Sequence, residues 1–209
     1  MKFSDLGLSS ELSRAVADLG YEFPTPIQER SIPLVLMGRD ILWSAQTGTG
    51  KTASFTLPMI DILASGRAKA RLPRSLILAP TRELAAQVAD SFEKFSVNNK
   101  LSMGLLIGGV SFADQNAALS KGVDVLIATP GRLLDHFERG KVLLSDVKIL
   151  VIDEADRMLD MVERVWFSID PVHSDVPEGE FGGLRECISD DLFRMGHVLL
   201  QMGIFELAT

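Results

Sequence analysis

The densest chemistry in the chain lies in Ala45-Gln46-Thr47-Gly48-Thr49-Gly50-Lys51-Thr52, between the apolar run Ile41-Leu42-Trp43 and a helical pattern from Ala53 to Leu63. Strand, tight loop and helix in that order build an anion cradle. Residues without a side chain let backbone N–H groups turn inward, and a helix N-terminus adds unpaired donors and partial positive charge. Lys51 would reach the β- and γ-phosphates of a nucleoside triphosphate, and the Thr52 hydroxyl would ligate a Mg²⁺ bridging them. The spacing is that of a Walker A loop, with Ala45 where the generic pattern has glycine. An ordinary glycine-rich turn is the plain structural alternative.

A second cluster, Asp153-Glu154-Ala155-Asp156, follows the apolar run from Lys148 to Ile152. An acidic pair at the end of a buried strand is costly unless it meets cations, which a nearby Mg²⁺ would supply. Asp153 would hold the metal, directly or through its water, and Glu154 would take a proton from the water attacking the γ-phosphate. The alternative is a solvated strand end that caps the next helix. Upstream, Thr25-Pro26-Ile27-Gln28 has the form of a capping box with proline at the first helical position. The Gln28 carboxamide, donor and acceptor on one plane, is equally suited to the Hoogsteen edge of adenine, and spacing alone leaves both readings open.

These groups need a frame. An amphipathic helix is predicted over Ser10 to Leu19, and Phe3 stands before it. After the loop, apolar runs over Ser75 to Ala79, Met103 to Ile107, Val123 to Ala128 and Lys148 to Ile152 read as strands. Helical patterns follow over Leu84 to Phe95 and from Thr129 to about Phe137. Continuous apolar strands separated by helices imply an α/β fold with a mostly parallel sheet covered on both faces, whose ligands bind at the strands' carboxyl ends. Pro80-Thr81-Arg82-Glu83-Leu84, Gly108-Gly109 and Thr129-Pro130-Gly131-Arg132 all fall at those ends.

The 209 residues suffice for one well-buried domain with an appendage. The lone Cys187 makes no internal disulfide, and no Cys/His cluster forms a zinc site, so a reducing, cytoplasmic setting is expected. No run approaches the ~20 apolar residues of a membrane span, and the N-terminus has no long apolar core of a targeting signal. The net charge of −7 argues in bulk against nucleic acid, but it is unevenly spread. Residues 1–161 carry 18 Lys/Arg against 19 Asp/Glu, whereas residues 162–209 carry 3 against 9. The first part therefore has room for a local basic track.

In order and rough spacing these motifs resemble the first RecA-like domain of bacterial DEAD-box ATP-dependent RNA helicases. Gly20 to Gln28 is similar to the Q motif, residues 45–52 to motif I and Pro80 to Leu84 to motif Ia. Gly108-Gly109 resembles the GG doublet, Thr129 to Arg132 motif Ib, and Asp153 to Asp156 spells motif II. The resemblance covers about residues 3–161 and implies a RecA-like P-loop fold, ATP and Mg²⁺ as cofactors, ATP hydrolysis, and RNA held by sequence-independent backbone contacts. Ala45 is the family's usual residue. The resemblance further implies that Phe3, Tyr21 and Gln28 serve the adenine and that Ala45, Gln46, Thr47, Gly48, Thr49, Gly50, Lys51 and Thr52 bind the phosphates. It assigns Thr52 and Asp153 to the metal, Lys51, Asp153 and Glu154 to catalysis, and Pro80, Thr81, Arg82, Gly108, Gly109, Thr129, Gly131 and Arg132 to RNA. A monomer with a helicase or ribonucleoprotein partner is the expected assembly.

The resemblance weakens after Met161. The family continues there with Gly-Phe and later a strand ending in Ser-Ala-Thr; this chain has Val162-Glu163 and no Ser-Ala-Thr. The expected organisation is thus an N-terminal region over residues 1–38, an ATP-binding core over 39–161, and a divergent acidic tail over 162–209. Val198 to Phe205, or else Arg164 to Ile169, would complete the sheet. Without the family's second RecA-like domain and its arginine finger, worth roughly 10³–10⁵ in rate, the chain is expected to hydrolyse ATP poorly and to unwind nothing alone. A non-catalytic ATP- or RNA-binding module and an inert truncated remnant are the alternatives.

Overall fold

The computed structural model describes residues 1–41, 48–66, 72–154 and 157. The expected strand through Leu42 and Trp43, the loop residues Ala45, Gln46 and Thr47, and the whole tail with its two candidate strands lie outside the described residues.

Among the described residues six helices and four strands follow in chain order, after a short 3₁₀ turn at Phe3–Leu6. They are α1 (Ser10–Asp18), α2 (Pro26–Leu36), α3 (Lys51–Ala64), β1 (Ser75–Leu78), α4 (Arg82–Phe95), β2 (Met103–Leu106), α5 (Phe112–Lys121), β3 (Val125–Ala128), α6 (Pro130–Glu138) and β4 (Ile149–Ile152). The strands pair in the order β2-β3-β1-β4, every pairing parallel. Parallel neighbours need a crossover between them, and the helices supply it. No helix among the described residues is long and apolar enough to cross a membrane.

Why the strands read as unbroken apolar runs is evident from the register. Ile77 lies opposite Ile127 and Val151, and all three enter one core with Phe55 and Ile60 of α3 and Val88 and Phe92 of α4. Leu76, one residue earlier, lies opposite Leu126 and Leu150, and these enter a second core with Leu133 of α6 and Val142, Leu144 and Val147 of the segment before β4. Successive side chains point to opposite faces, so a sheet covered on both sides has no polar alternation.

Helix α5 is not anticipated by the periodicity, because the only residue it buries fully is a polar one, Gln115. At the opposite end of the sheet from the motifs, Arg74 ties three strand starts to the end of α3. Its Nε and Nη2 donate to Asp124 Oδ1 at 3.0 and 2.6 Å, and its Nη1 donates to the carbonyls of Leu63 and Gly66 at 3.0 and 3.1 Å. Asp124 Oδ2 accepts from the Ser102 N–H and hydroxyl at 2.9 and 3.0 Å. Burial alone would raise the Asp124 carboxyl, but the hydrogen bonds from Ser102 and Arg74 and the Arg74 charge hold it below its ordinary value. This staple fixes the far end, leaving the carboxyl ends to carry chemistry.

Candidate functional site

Helix α3 begins at Lys51, and Gly50 is its N-cap in the left-handed region at φ 88°. That conformation costs an L-residue roughly 1–2 kcal/mol, which glycine avoids. A Cβ at Gly50 would also overlap Gln28 Nε2. The close approach reflects a bond, since the buried Gln28 donates from Nε2 to the Gly50 carbonyl at 3.1 Å and accepts at Oε1 from the Thr25 N–H at 2.9 Å. Gln28 therefore does cap α2, and with the same amide it braces the phosphate loop. The reciprocal contact to Thr25 has the arrangement of a capping box without hydrogen-bond geometry, leaving Thr25 Oγ1 buried and unpartnered. Phe3 is buried and meets Tyr21 edge-on at 6.4 Å; Tyr21 in turn leans on Phe95 at 5.9 Å, with about half its surface exposed. Phe23, unremarked in the sequence, is the more exposed aromatic of this segment.

The acidic cluster begins where β4 stops. The Asp153 N–H still donates to the Leu78 carbonyl at 2.9 Å, so the backbone of Asp153 is fixed by β1. Its carboxyl is buried, and burial pushes it up to about 6; the Lys51 charge pulls it down and the Glu154 charge pushes it up. Lys51 thus lies close enough to Asp153 to act on its ionisation, so the start of α3 and the end of β4 are near one another. Glu154 is the only non-glycine residue with positive φ (51°) among the described residues. Strain of this kind concentrates at functional sites. Glu154 Oε2 is buried and lies 3.2 Å from Arg157 Nη1, an ion pair whose geometry makes no hydrogen bond.

No group of three or more His, Cys, Asp or Glu side chains that could hold a metal occurs among the described residues. Phosphate-bound Mg²⁺ needs no such cage, because substrate oxygens and water complete its octahedron around one or two protein ligands. A buried carboxyl whose negative form is disfavoured fits such an ion, which Asp153 and Thr52 would hold.

The remaining motifs meet around the β2 end. Thr81 caps α4, its Oγ1 accepting from the Leu84 N–H at 3.2 Å, and Pro80 precedes it at the end of β1. Arg82 is mostly exposed and only 3.7 Å from the equally exposed Glu83, a pair worth little in water. Gly109 turns at φ 79°, and a Cβ there would stand 2.6 Å from Arg82 Nη1. Thr129 is the N-cap of α6, Pro130 its buried first residue, and Gly131 faces open space. Arg132 points inward: its Nε donates to the Ile107 carbonyl at 3.1 Å and its Nη2 to that of Val110 at 3.0 Å, bracketing Gly108-Gly109 from below. The turn therefore lies between two guanidiniums, the exposed Arg82 beside it and Arg132 bonded to the carbonyls that flank it. Sequence reasoning did not find Gln115 and His136, which join this bracing. Their only signal was His136 three residues after Leu133 on the apolar stripe of α6.

A family model described as "DEAD/DEAH box helicase" matches residues 25–172. The chain is 45% identical to the ATP-dependent RNA helicase DeaD of Escherichia coli over 92% of its own length and 30% of that protein. It is 48% identical to the DEAD-box ATP-dependent RNA helicase 52A of Oryza sativa over 76% of its length and 29% of that protein. Among solved structures, a DEAD box protein from Methanococcus jannaschii superposes with a TM-score of 0.79 at 34% identity, covering 98% of this chain and 50% of that one. The RNA-helicase Prp28 from Chaetomium thermophilum bound to ADP gives 0.77 at 31% identity, covering 99% and 46%. The chain spans about 30% of these curated relatives and about half of these structures.

Proposed function

Because this chain belongs to the DEAD/DEAH box helicase family, we propose that it is the RecA-like, ATP-binding domain of an ATP-dependent RNA helicase, holding ATP with Mg²⁺ beside a single-stranded RNA backbone. The feature that supports this reading is the buried Asp153 at the β4 end, near enough to Lys51 at the start of α3 for the lysine charge to lower its pKa. Gly48, Thr49 and Gly50 offer a cradle at the head of α3, Lys51 opposes phosphate charge, and Gln28 holds the cradle to the N-terminal segment. Bound Mg²⁺ would neutralise phosphate charge and keep Asp153 ionised. Glu154, on a strained backbone beside Asp153, orients the attacking water and takes its proton. Arg82, Gly109 and the Thr81 and Thr129 helix starts form a sequence-blind phosphate track, the kind of contact that positions a strand without reading it.

The 209 residues by themselves are proposed to bind nucleotide and RNA without separating a duplex. Thermal unfolding with and without Mg-ATP tests the nucleotide half, since a ligand that binds only the folded state raises its stability by mass action. A rise abolished by Lys51→Ala supports the reading; no rise in the unsubstituted chain, or an equal rise in the variant, removes it.

A further inference from the structure

His136 is buried and lies outside every motif of the proposed activity. We infer that His136 and Gln115 are positioning residues for the Gly108-Gly109 turn, setting the backbone that the RNA phosphates meet; the RNA consequence rests on the function proposed above.

The hydrogen bonds run in one direction. Gln115 Nε2 donates to the Ile107 carbonyl at 2.8 Å, on the residue just before the turn. That orientation leaves Gln115 Oε1 facing His136 Nε2, also at 2.8 Å, so the imidazole must donate from Nε2. Nδ1 is then unprotonated, and it is buried with no partner. Burial, with the charges of Arg132 and Arg139, lowers the His136 pKa and keeps the ring neutral. The same ring stacks on Phe112, the first residue of α5, at 4.0 Å and 5° between planes. Arg132 and Arg139 lie over the Phe112 ring at 5.5 and 4.6 Å.

His136 therefore touches both flanks of the turn: Ile107 through Gln115, and Phe112 directly. A phenyl ring would fill the stacked place without desolvating a lone pair. What the imidazole adds is the donor that fixes the Gln115 amide, and through it a carbonyl that Arg132 also grips. Neither side chain is exposed to a phosphate, so both act through the turn.

The test uses the full chain with His136→Phe, His136→Gln and Gln115→Met. Affinity for a short fluorescein-labelled oligouridylate is measured by anisotropy across a salt series, alongside affinity for a fluorescent ADP and the amide spectra of Gly108 and Gly109. Losing one neutral hydrogen bond predicts an oligouridylate affinity about fivefold lower in His136→Phe, and Gln115→Met, which loses two, should fall at least as far. The salt slope stays unchanged because no phosphate contact is removed. ADP affinity is kept, the two glycine amides shift, and His136→Gln, which can still donate, recovers most of the affinity. Unmoved glycine amides with unchanged RNA affinity in His136→Phe would overturn the assignment, as would equal losses for ADP and RNA. If the unsubstituted chain does not bind oligouridylate, the RNA reading fails, and the glycine amides then decide the positioning role alone.

Discussion

Asp153→Asn should stabilise the nucleotide-free chain while removing its response to Mg-ATP. Burial raises the Asp153 carboxyl from an ordinary 3.8 to about 6. Between those values the folded protein holds a proton that the unfolded chain has lost. Stability from this group therefore falls as pH rises through that window and is level above it. A rise of about 2 units at about 1.4 kcal/mol each makes the ionised carboxylate cost about 3 kcal/mol near pH 7.5. Asparagine fills the same space without a charge and avoids most of that cost. At roughly 2–4 °C per kcal/mol for a chain of this size, the unfolding midpoint should rise by up to about 6–12 °C. Near pH 5, where the native carboxyl is already largely protonated, the gain should shrink to about half. Scanning calorimetry of both proteins at the two pH values reads the effect directly. A destabilised variant, or a gain that does not change with pH, would refute the placement of Asp153 in a desolvated, proton-holding site.

Gly50→Ala sets a methyl group against Gln28 Nε2 on a backbone of positive φ. It should cost about 2 kcal/mol of stability and abolish fluorescent-ADP binding; near-parental binding would contradict the bracing of the loop by Gln28. Arg74→Met leaves Asp124 without its cation and should destabilise by about 3 kcal/mol in urea titrations near neutral pH. Because the Asp124 pKa is lowered, that contribution is present above its ordinary 3.8 and is lost as pH falls through the folded value. The gap between parent and variant should therefore narrow in acid, and a gap that widens there would contradict the pairing. Arg82→Gln should weaken oligouridylate binding and reduce the salt slope by about one contact, whereas Gly109→Ala, which displaces Arg82 Nη1, should lower affinity. An unchanged salt slope for Arg82→Gln would remove Arg82 from the phosphate track.

What the sequence made legible was whatever depends on neighbours along the chain. Three strands announce themselves because both faces are buried, the edge strand β2 is half-buried on one face, and each observed strand lies within the apolar run expected for it. The start of α2 at Thr25-Pro26 follows from residue type followed by a helical pattern, whereas α4 begins at Arg82, capped by Thr81, before the expected Leu84. Helix α5 escaped because Gln115, the residue it buries, is polar, so no apolar stripe marks it. Arg132 was expected to contact the RNA backbone, and its guanidinium also donates to the carbonyls of Ile107 and Val110, partners that no local pattern signals. Gln28 was left between cap and ligand, and it caps while also gripping Gly50, a partner 22 residues away. The His136–Gln115 bond spans 21 residues and two helices whose packing no local pattern encodes.

The meeting of phosphate loop and acidic pair is tested most directly by following the Asp153 side-chain ¹³C resonance through a pH titration of the parent chain, of Lys51→Met, and of the parent with Mg-ATP. The parent midpoint should lie at about 6, rise when the Lys51 charge is removed, and fall when Mg-ATP is bound. A midpoint near the ordinary 3.8, indifferent to both the substitution and the nucleotide, would contradict it.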